Sequence, residues 1–353
     1  MTIDVPSDTT SRLPFAIVGL LASLLASFPA GALAAPEVKT PPVVAATADP
    51  DAEKLFKAIV KVNVHAIPDA RSNATLGAQR EGTGVVIGED GLILTIGYLI
   101  VEADDVSIVD RRGRTLPARI VGYDHSTGFG LLRSVVPLDA TPVTMGEPSK
   151  LTPREAVLVV NHEGPDDVTL AQVASRRLFT GNWEYLIEQA IFTSPPVLNW
   201  SGAALLDKDL KLLGIGSLIV RNAGAEGTLE PGNMFVPIDA LKPILADLAQ
   251  SGRRRGPARP WLGVAADESQ GRLVVARVSA DGPADSAGLE VGDIILAVGG
   301  EPVRTQAEFY RKIWGSGGAG TEIPLRVLQG VEVKDIKVRS IDRVDYFRPQ
   351  TMH

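Results

Sequence analysis

At 353 residues the chain is long enough for two or three domains, and 45% hydrophobic with 22% charged residues is a composition that folds around real cores. The absence of cysteine excludes disulfide staples, thiolate metal centres and cysteine nucleophiles, and four histidines leave little material for a multi-histidine metal site. A formal net charge of −7 argues against a nucleic-acid partner, which needs a basic face. Nothing in the composition asks for a cofactor. In chain order, residues 13–35 carry no charge, follow Arg12 and pass through Ala32-Leu33-Ala34, a small-x-small pattern. This predicts a secretory signal peptide over residues 1–34. The alternative is an uncleaved inner-membrane anchor, since ~20 apolar residues suffice to span, although Pro14, Pro29 and Gly31 disfavour a stable span. Either way the remainder is expected to be exported.

Residues 35–51, with Pro36, Pro41, Pro42 and Pro50, read as an extended linker. A short helical pattern over 52–59 precedes strand-like Val60-Lys61-Val62-Asn63-Val64-His65. Further short strands are predicted at 84–87, 92–95, 106–109, 118–121 and 156–160, with Glu89-Asp90-Gly91 as a hairpin turn. Many short strands separated by turns indicate a barrel or sandwich, continuing to about Val236. From there Leu241, Ile244, Leu245 and Leu248 have helical spacing, with Asp239 placed as an N-cap and Ser251-Gly252 as a stop. Arg253-Arg254-Arg255-Gly256-Pro257 reads as solvated linker. A second compact unit follows, with helical segments near 283–289 and 306–314. Gly315-Ser316-Gly317-Gly318-Ala319-Gly320 matches a dinucleotide fingerprint only formally, because it follows a helix and precedes a strand. It is read as a connector.

Two stretches carry a family resemblance. The first is Gly82-Thr83-Gly84-Val85-Val86-Ile87, Gly91-Leu92-Ile93-Leu94-Thr95 and Ser201-Gly202-Ala203-Ala204-Leu205-Leu206-Asp207. The second is Trp261-Leu262-Gly263-Val264 with residues 282–295, from Gly282-Pro283-Ala284 through Gly288-Leu289 to Gly292-Asp293-Ile294-Ile295. Together these resemble the HtrA family of exported trypsin-like serine proteases with a PDZ domain. The resemblance implies a mainly β fold: a chymotrypsin/trypsin-like double β-barrel over 52–250, a linker over 251–259, a small α+β PDZ domain over 260–345, and a tail over 346–353.

The family's chemistry needs a histidine base, an aspartate that orients it, and a serine nucleophile. By the resemblance the base position falls on Tyr98, within Thr95-Ile96-Gly97-Tyr98-Leu99. The orienting position falls on Gly128, within Thr127-Gly128-Phe129-Gly130. The nucleophile position is kept as Ser201. The oxyanion-hole motif becomes Asn199-Trp200-Ser201-Gly202-Ala203-Ala204, with Asn199 where the family has glycine. A serine hydroxyl is a poor nucleophile unless a base takes its proton, and a tyrosine is a poor base at neutral pH. The expectation is therefore an inactive relative, with an endopeptidase using Ser201 and a non-standard base as the alternative. His125, beside Asp124, reads as a turn histidine rather than a rescuing base. His65 reads as a strand residue, and His162-Glu163 lacks the second histidine of a zinc motif. No metal site is expected.

PDZ binding needs less than catalysis: backbone N–H groups hold a free carboxylate while the peptide adds a strand to a sheet edge. The resemblance implies that Trp261, Leu262, Gly263 and Val264 supply the carboxylate loop and that Phe309 and Ile313 line the other wall. Expected partners are protein or peptide C-termini and unfolded segments, with an active HtrA relative as a further partner. The role implied is that of scaffold or regulator in envelope protein quality control, with a chaperone-like holdase as a weaker reading. Family members trimerise through apolar residues near the start of the protease domain. Phe56 is the only aromatic in that stretch, which disfavours a trimer.

Overall fold

A computed structural model describes residues 50–225 and 227–348. The leader expected over 1–34 and nearly all of the linker after it lie outside the described residues. Helix α1 (Pro50–Ala58) leads into β1 (Ile59–Ala66), where strict alternation decides the fold. Val60, Val62 and Val64 are buried, while Lys61, Asn63 and His65 between them keep solvent exposure. Phe56 on α1 packs into the same core.

The first closed barrel has the strand order β1, β2 (Gln79–Val86), β3 (Leu92–Ile96), β6 (Phe129–Ser134), β5 (Thr115–Tyr123) and β4 (Ala103–Val109). A short helix α2 (Asn73–Leu76) lies between β1 and β2. β3 is buried along its length, its one polar side chain, Thr95, donating to the Thr83 carbonyl at 2.7 Å. The second closed barrel runs β10 (Ala204–Leu206), β11 (Leu212–Val220), β12 (Gly232–Pro237), β9 (Tyr185–Ser194), β8 (Thr169–Gly181) and β7 (Ala156–Val160). Closure removes the free sheet edges that would otherwise pair with other chains.

The expected helix starting at Asp239 is not continuous. A 3-10 turn spans Ile238–Ala240, further turns follow, and α3 occupies only Leu245–Ser251. Pro243 has no N–H to donate back to Asp239, which breaks the ladder in mid-segment. Asp239 is not an α-helix cap: its carboxylate accepts from the Ser149 amide (3.1 Å) and Lys242 Nζ (2.6 Å). Gly252 ends α3 as anticipated, in a left-handed conformation with its N–H on the Leu248 carbonyl. The arginine triplet is more engaged than a free linker. Arg254 lies 3.5 Å from Asp124 on the first barrel, and Arg255 is 3.1 Å from Asp247 of α3.

The last unit is a six-stranded antiparallel sheet ordered β13 (Val264–Ser269), β14 (Arg272–Val278), β15 (Ile294–Val298), β17 (Glu322–Gln329) and β18 (Glu332–Arg339), with β16 (Glu301–Pro302) paired to β15. Helix α4 (Pro283–Ser286) follows β14, and α5 (Gln306–Gly315) covers the sheet. Thr305 and Glu308 form a reciprocal capping box at the start of α5. Its Phe309, Tyr310 and Ile313 are buried, at the spacing of one helical face. The chain closes with α6 (Arg343–Tyr346). Among the described residues no helix is long and apolar enough to cross a membrane, and no group of three or more His, Cys, Asp or Glu residues is placed to hold a metal.

Candidate functional site

Pairing of β3 with β6 brings Ile96 opposite Phe129, so the turn after β3 and the residue before β6 lie side by side. Tyr98 sits on that 3-10 turn, Gly97–Leu99, and the Gly97 N–H donates to the Gly128 carbonyl at 2.6 Å. Ser201 comes from the second barrel, in the turn that precedes β10. The Thr83 amide of β2 donates to the Ser201 carbonyl at 2.8 Å, tying that turn to the first barrel. Gly202 has φ 75°, and a Cβ there would lie 2.0 Å from the Thr83 carbonyl oxygen, so only glycine fits beneath the serine.

The structure brings Tyr98 and Ser201 into direct contact. The Tyr98 hydroxyl lies 2.9 Å from Ser201 Oγ and 3.1 Å from the carbonyl oxygen of Ser217, at a bulge in β11. A phenol has one proton, and a carbonyl can only accept. When Tyr98 donates to Ser217, the Ser201 hydroxyl can only donate to the phenol oxygen. When Tyr98 donates to Ser201, the serine oxygen is the acceptor. Burial of the hydroxyl end pushes the Tyr98 phenol up to about 12, and its hydrogen bond to Ser201 offsets that only in part. At neutral pH the phenolate fraction is then about 10⁻⁵. In both arrangements the phenol keeps its own proton.

Gly128 brings no side chain, and its surroundings leave no room for one. Its φ is 81°, and a Cβ would meet the Tyr185 hydroxyl at 2.8 Å. Tyr185 occupies that space because its hydroxyl donates to the Thr127 carbonyl at 2.6 Å. Asn199 is exposed, its side-chain amide donating to Asp167 at 3.2 Å. Asp167 also accepts from Asn161 at 2.8 Å.

His162, which sequence reasoning set aside for want of a zinc partner, lies in this neighbourhood. Its Nδ1 is 3.0 Å from the Thr83 hydroxyl, which also accepts the His162 backbone N–H at 3.1 Å. Burial, with Lys61 adding, holds its pKa below the ordinary 6.5. His125 is a turn residue whose ring contacts Tyr123 (4.1 Å between centroids) and Phe347 (5.4 Å). His65 is exposed on β1.

At the other candidate site, the N–H groups of Leu262, Gly263 and Val264 converge on one point. That point is occupied by the carboxylate of Glu184, from the turn between β8 and β9. The distances are 3.1 Å from Leu262 to Oε2, and 2.7 Å from Gly263 and 2.9 Å from Val264 to Oε1. Sequence reasoning missed Glu184, which sits 78 positions before Leu262 with no local pattern to mark it. Burial raises its carboxyl to about 7 against the lowering pull of the N–H groups. Leu262, Val264, Phe309 and Ile313 are all buried in one apolar cluster, together with Leu186 of β9. Trp261 is buried as well, its ring 4.6 Å from that of Tyr346 and its backbone N–H donating to the Ile341 carbonyl at 3.0 Å.

Comparison with known proteins follows the same division. Residues 82–215 match the trypsin-like peptidase domain family and residues 260–339 match the PDZ domain family. A relative from Pseudomonas putida (strain W619), described as a probable periplasmic serine endoprotease DegP-like, is 28% identical over 315 residues, covering 84% of this chain and 64% of its own length. A protein of the same description from Halomonas elongata is 29% identical over 275 residues, covering 73% of this chain and 55% of its own. The chain thus spans about three-fifths of the length of these curated relatives. Among solved structures, an HtrA-type protease AlgW with a tripeptide superposes with a TM-score of 0.50 at 20% identity, over 88% of this chain and 99% of that one. The decapeptide complex of AlgW gives 0.50 at 19% identity, over 85% and 98%. At that identity the likeness speaks for the fold. The trypsin-like peptidase match, the PDZ match after it and the DegP-like relatives across both support an HtrA family protein with a C-terminal PDZ domain.

Proposed function

We propose that this chain is an exported, periplasmic member of its family that does not cleave peptide bonds and works by binding. The observation that carries the reading is the 2.9 Å contact between Tyr98 and Ser201. Acyl transfer by a serine requires the Oγ proton to leave as the bond to the carbonyl carbon forms. Tyr98, at the position where the family has its base, is already protonated and resists ionisation. Gly128 supplies no carboxylate to orient or polarise it. Loss of a triad base costs on the order of 10⁶ in kcat, because the unit fails together. Asn199 at the oxyanion position, with Trp200 beside it, weakens the case for residual catalysis.

What remains is capture of chain ends or unfolded segments through the PDZ unit, as a scaffold or regulator beside an active relative. The test is casein turnover by the purified full chain, wild type against Ser201→Ala. Equal background rates are expected. A Ser201-dependent rate would favour the alternative, an endopeptidase with a non-standard base. His162 is then the imidazole to substitute, since it would have to leave Thr83 to serve.

A further inference from the structure

The PDZ loop expected to hold the carboxylate of another chain holds one of this chain's own. Three successive backbone N–H groups form an anion nest, and all three are spent on Glu184. A second carboxylate cannot share those donors without placing two like charges side by side.

Four further observations make the occupancy specific. First, Glu184 has φ 57°, a conformation that costs a non-glycine residue and persists where surrounding contacts impose it. Second, the same turn is held from two more sides: Tyr310 of α5 donates to the Gly181 carbonyl at 2.8 Å, and Arg343 of α6 to the Trp183 carbonyl at 3.1 Å. Third, Leu186, two residues on, is buried in the apolar cluster that contains Leu262, Val264, Phe309 and Ile313. A carboxylate with an apolar side chain near it is the chemistry that a chain terminus would bring. Fourth, the far half of the groove is bridged. Gln306 of α5 donates through its side chain to the Ala266 carbonyl of β13, and its backbone N–H donates to Glu268 at 2.9 Å. β13 is an edge strand, so that carbonyl is one an added peptide strand would use.

We propose that Glu184 is the resident occupant of the carboxylate loop: the β8–β9 turn closes the PDZ groove, and the free carboxylate of another chain enters only by displacing it. This rests on the binding reading above and adds its regulation. Because β8 and β9 are strands of the second barrel, release of the turn also loosens the hold of that barrel on the PDZ unit, leaving the Arg311–Glu188 pair between α5 and β9 at 2.8 Å.

The test uses the full chain as wild type, Glu184→Gln and Glu184→Gly; the glycine also relieves the left-handed backbone. One readout is polarisation of a fluorescein-labelled decapeptide ending in a free leucine carboxylate, with its C-terminal amide as control. The other is deuterium exchange over residues 260–266. The proposal expects the acid to bind both variants about tenfold tighter than wild type while the amide shows no such gain. It also expects the loop amides to exchange about tenfold faster in both variants. Unchanged exchange, or equal affinity of the acid for all three proteins, overturns it. Faster exchange with no binding of the acid to any of them supports Glu184 as occupant and sinks peptide capture instead.

Discussion

Tyr98 and Ser201 are 103 residues apart in sequence and 2.9 Å apart in space, hydroxyl to hydroxyl. The tyrosine acts as a structural partner to the serine, bridging it to the Ser217 carbonyl, and that role differs from the one a base would play. Tyr98→Phe should therefore cost stability and change no rate. Losing these hydrogen bonds from a partly buried site is worth about 1 kcal/mol. Denaturant unfolding of the full chain measures this, with casein turnover staying at background.

Rebuilding the triad by side chain alone should fail. By the family resemblance, Tyr98→His with Gly128→Asp restores the expected groups in sequence, but residue 128 has φ 81° and faces the Tyr185 hydroxyl. The left-handed backbone alone costs roughly 1–2 kcal/mol for a residue with a Cβ. The double variant is expected to melt lower than wild type and to remain without peptidase activity. Adding Tyr185→Ala should recover space but not the backbone cost, which calorimetry of the three proteins separates.

The turn beneath the serine should be as intolerant as the orienting position. Gly202→Ala drives a methyl to 2.0 Å from the Thr83 carbonyl oxygen, at φ 75°. We expect a loss of about 3 kcal/mol or more, read from denaturant unfolding. The junction between Thr83 and Ser201 joins the two barrels, so the loss should lower cooperativity of unfolding too.

His125 should make the protein sensitive to acid. Burial, with Arg343 adding, holds its pKa well below the ordinary 6.5. The unfolded chain takes up a proton near 6.5 that the folded chain refuses, so stability is complete above that pH and falls below it, by up to about 1.4 kcal/mol per pH unit. Glu184 runs the other way: its pKa is raised to about 7, so ionising it costs the folded state as pH rises toward 7. Comparing wild type with His125→Phe isolates the histidine. Melting temperature across pH about 5 to 8 should slope less at the acid end in the variant.

Much of the scaffold is legible in the chain. Alternation of Val60, Val62 and Val64 with Lys61, Asn63 and His65 marks β1, and the spacing of Phe309, Tyr310 and Ile313 marks the inner face of α5. The break at Pro243 is equally visible, and the apolar spacing around it simply outweighed it. The resemblance placed Tyr98, Gly128 and Ser201, but the chain gave no sign that a phenol and a serine would bond. The site contacts that matter are long-range: Tyr98 with Ser201 is 103 residues in separation, and Glu184 with Gly263 is 79. A lone glutamate in a β-turn looks like any solvated turn residue until the loop that buries it is in place. Patterning reports which face is buried; it does not report which distant donors will meet a buried charge.

The account depends on Ser201 lacking a proton acceptor. Reaction of the purified full chain with a fluorophosphonate, followed by intact-mass analysis, asks this directly, because the phosphonyl adduct forms only on an activated hydroxyl. The account predicts no adduct on wild type and none on Ser201→Ala, each protein keeping its own unmodified mass. Stoichiometric labelling that disappears in Ser201→Ala would contradict it.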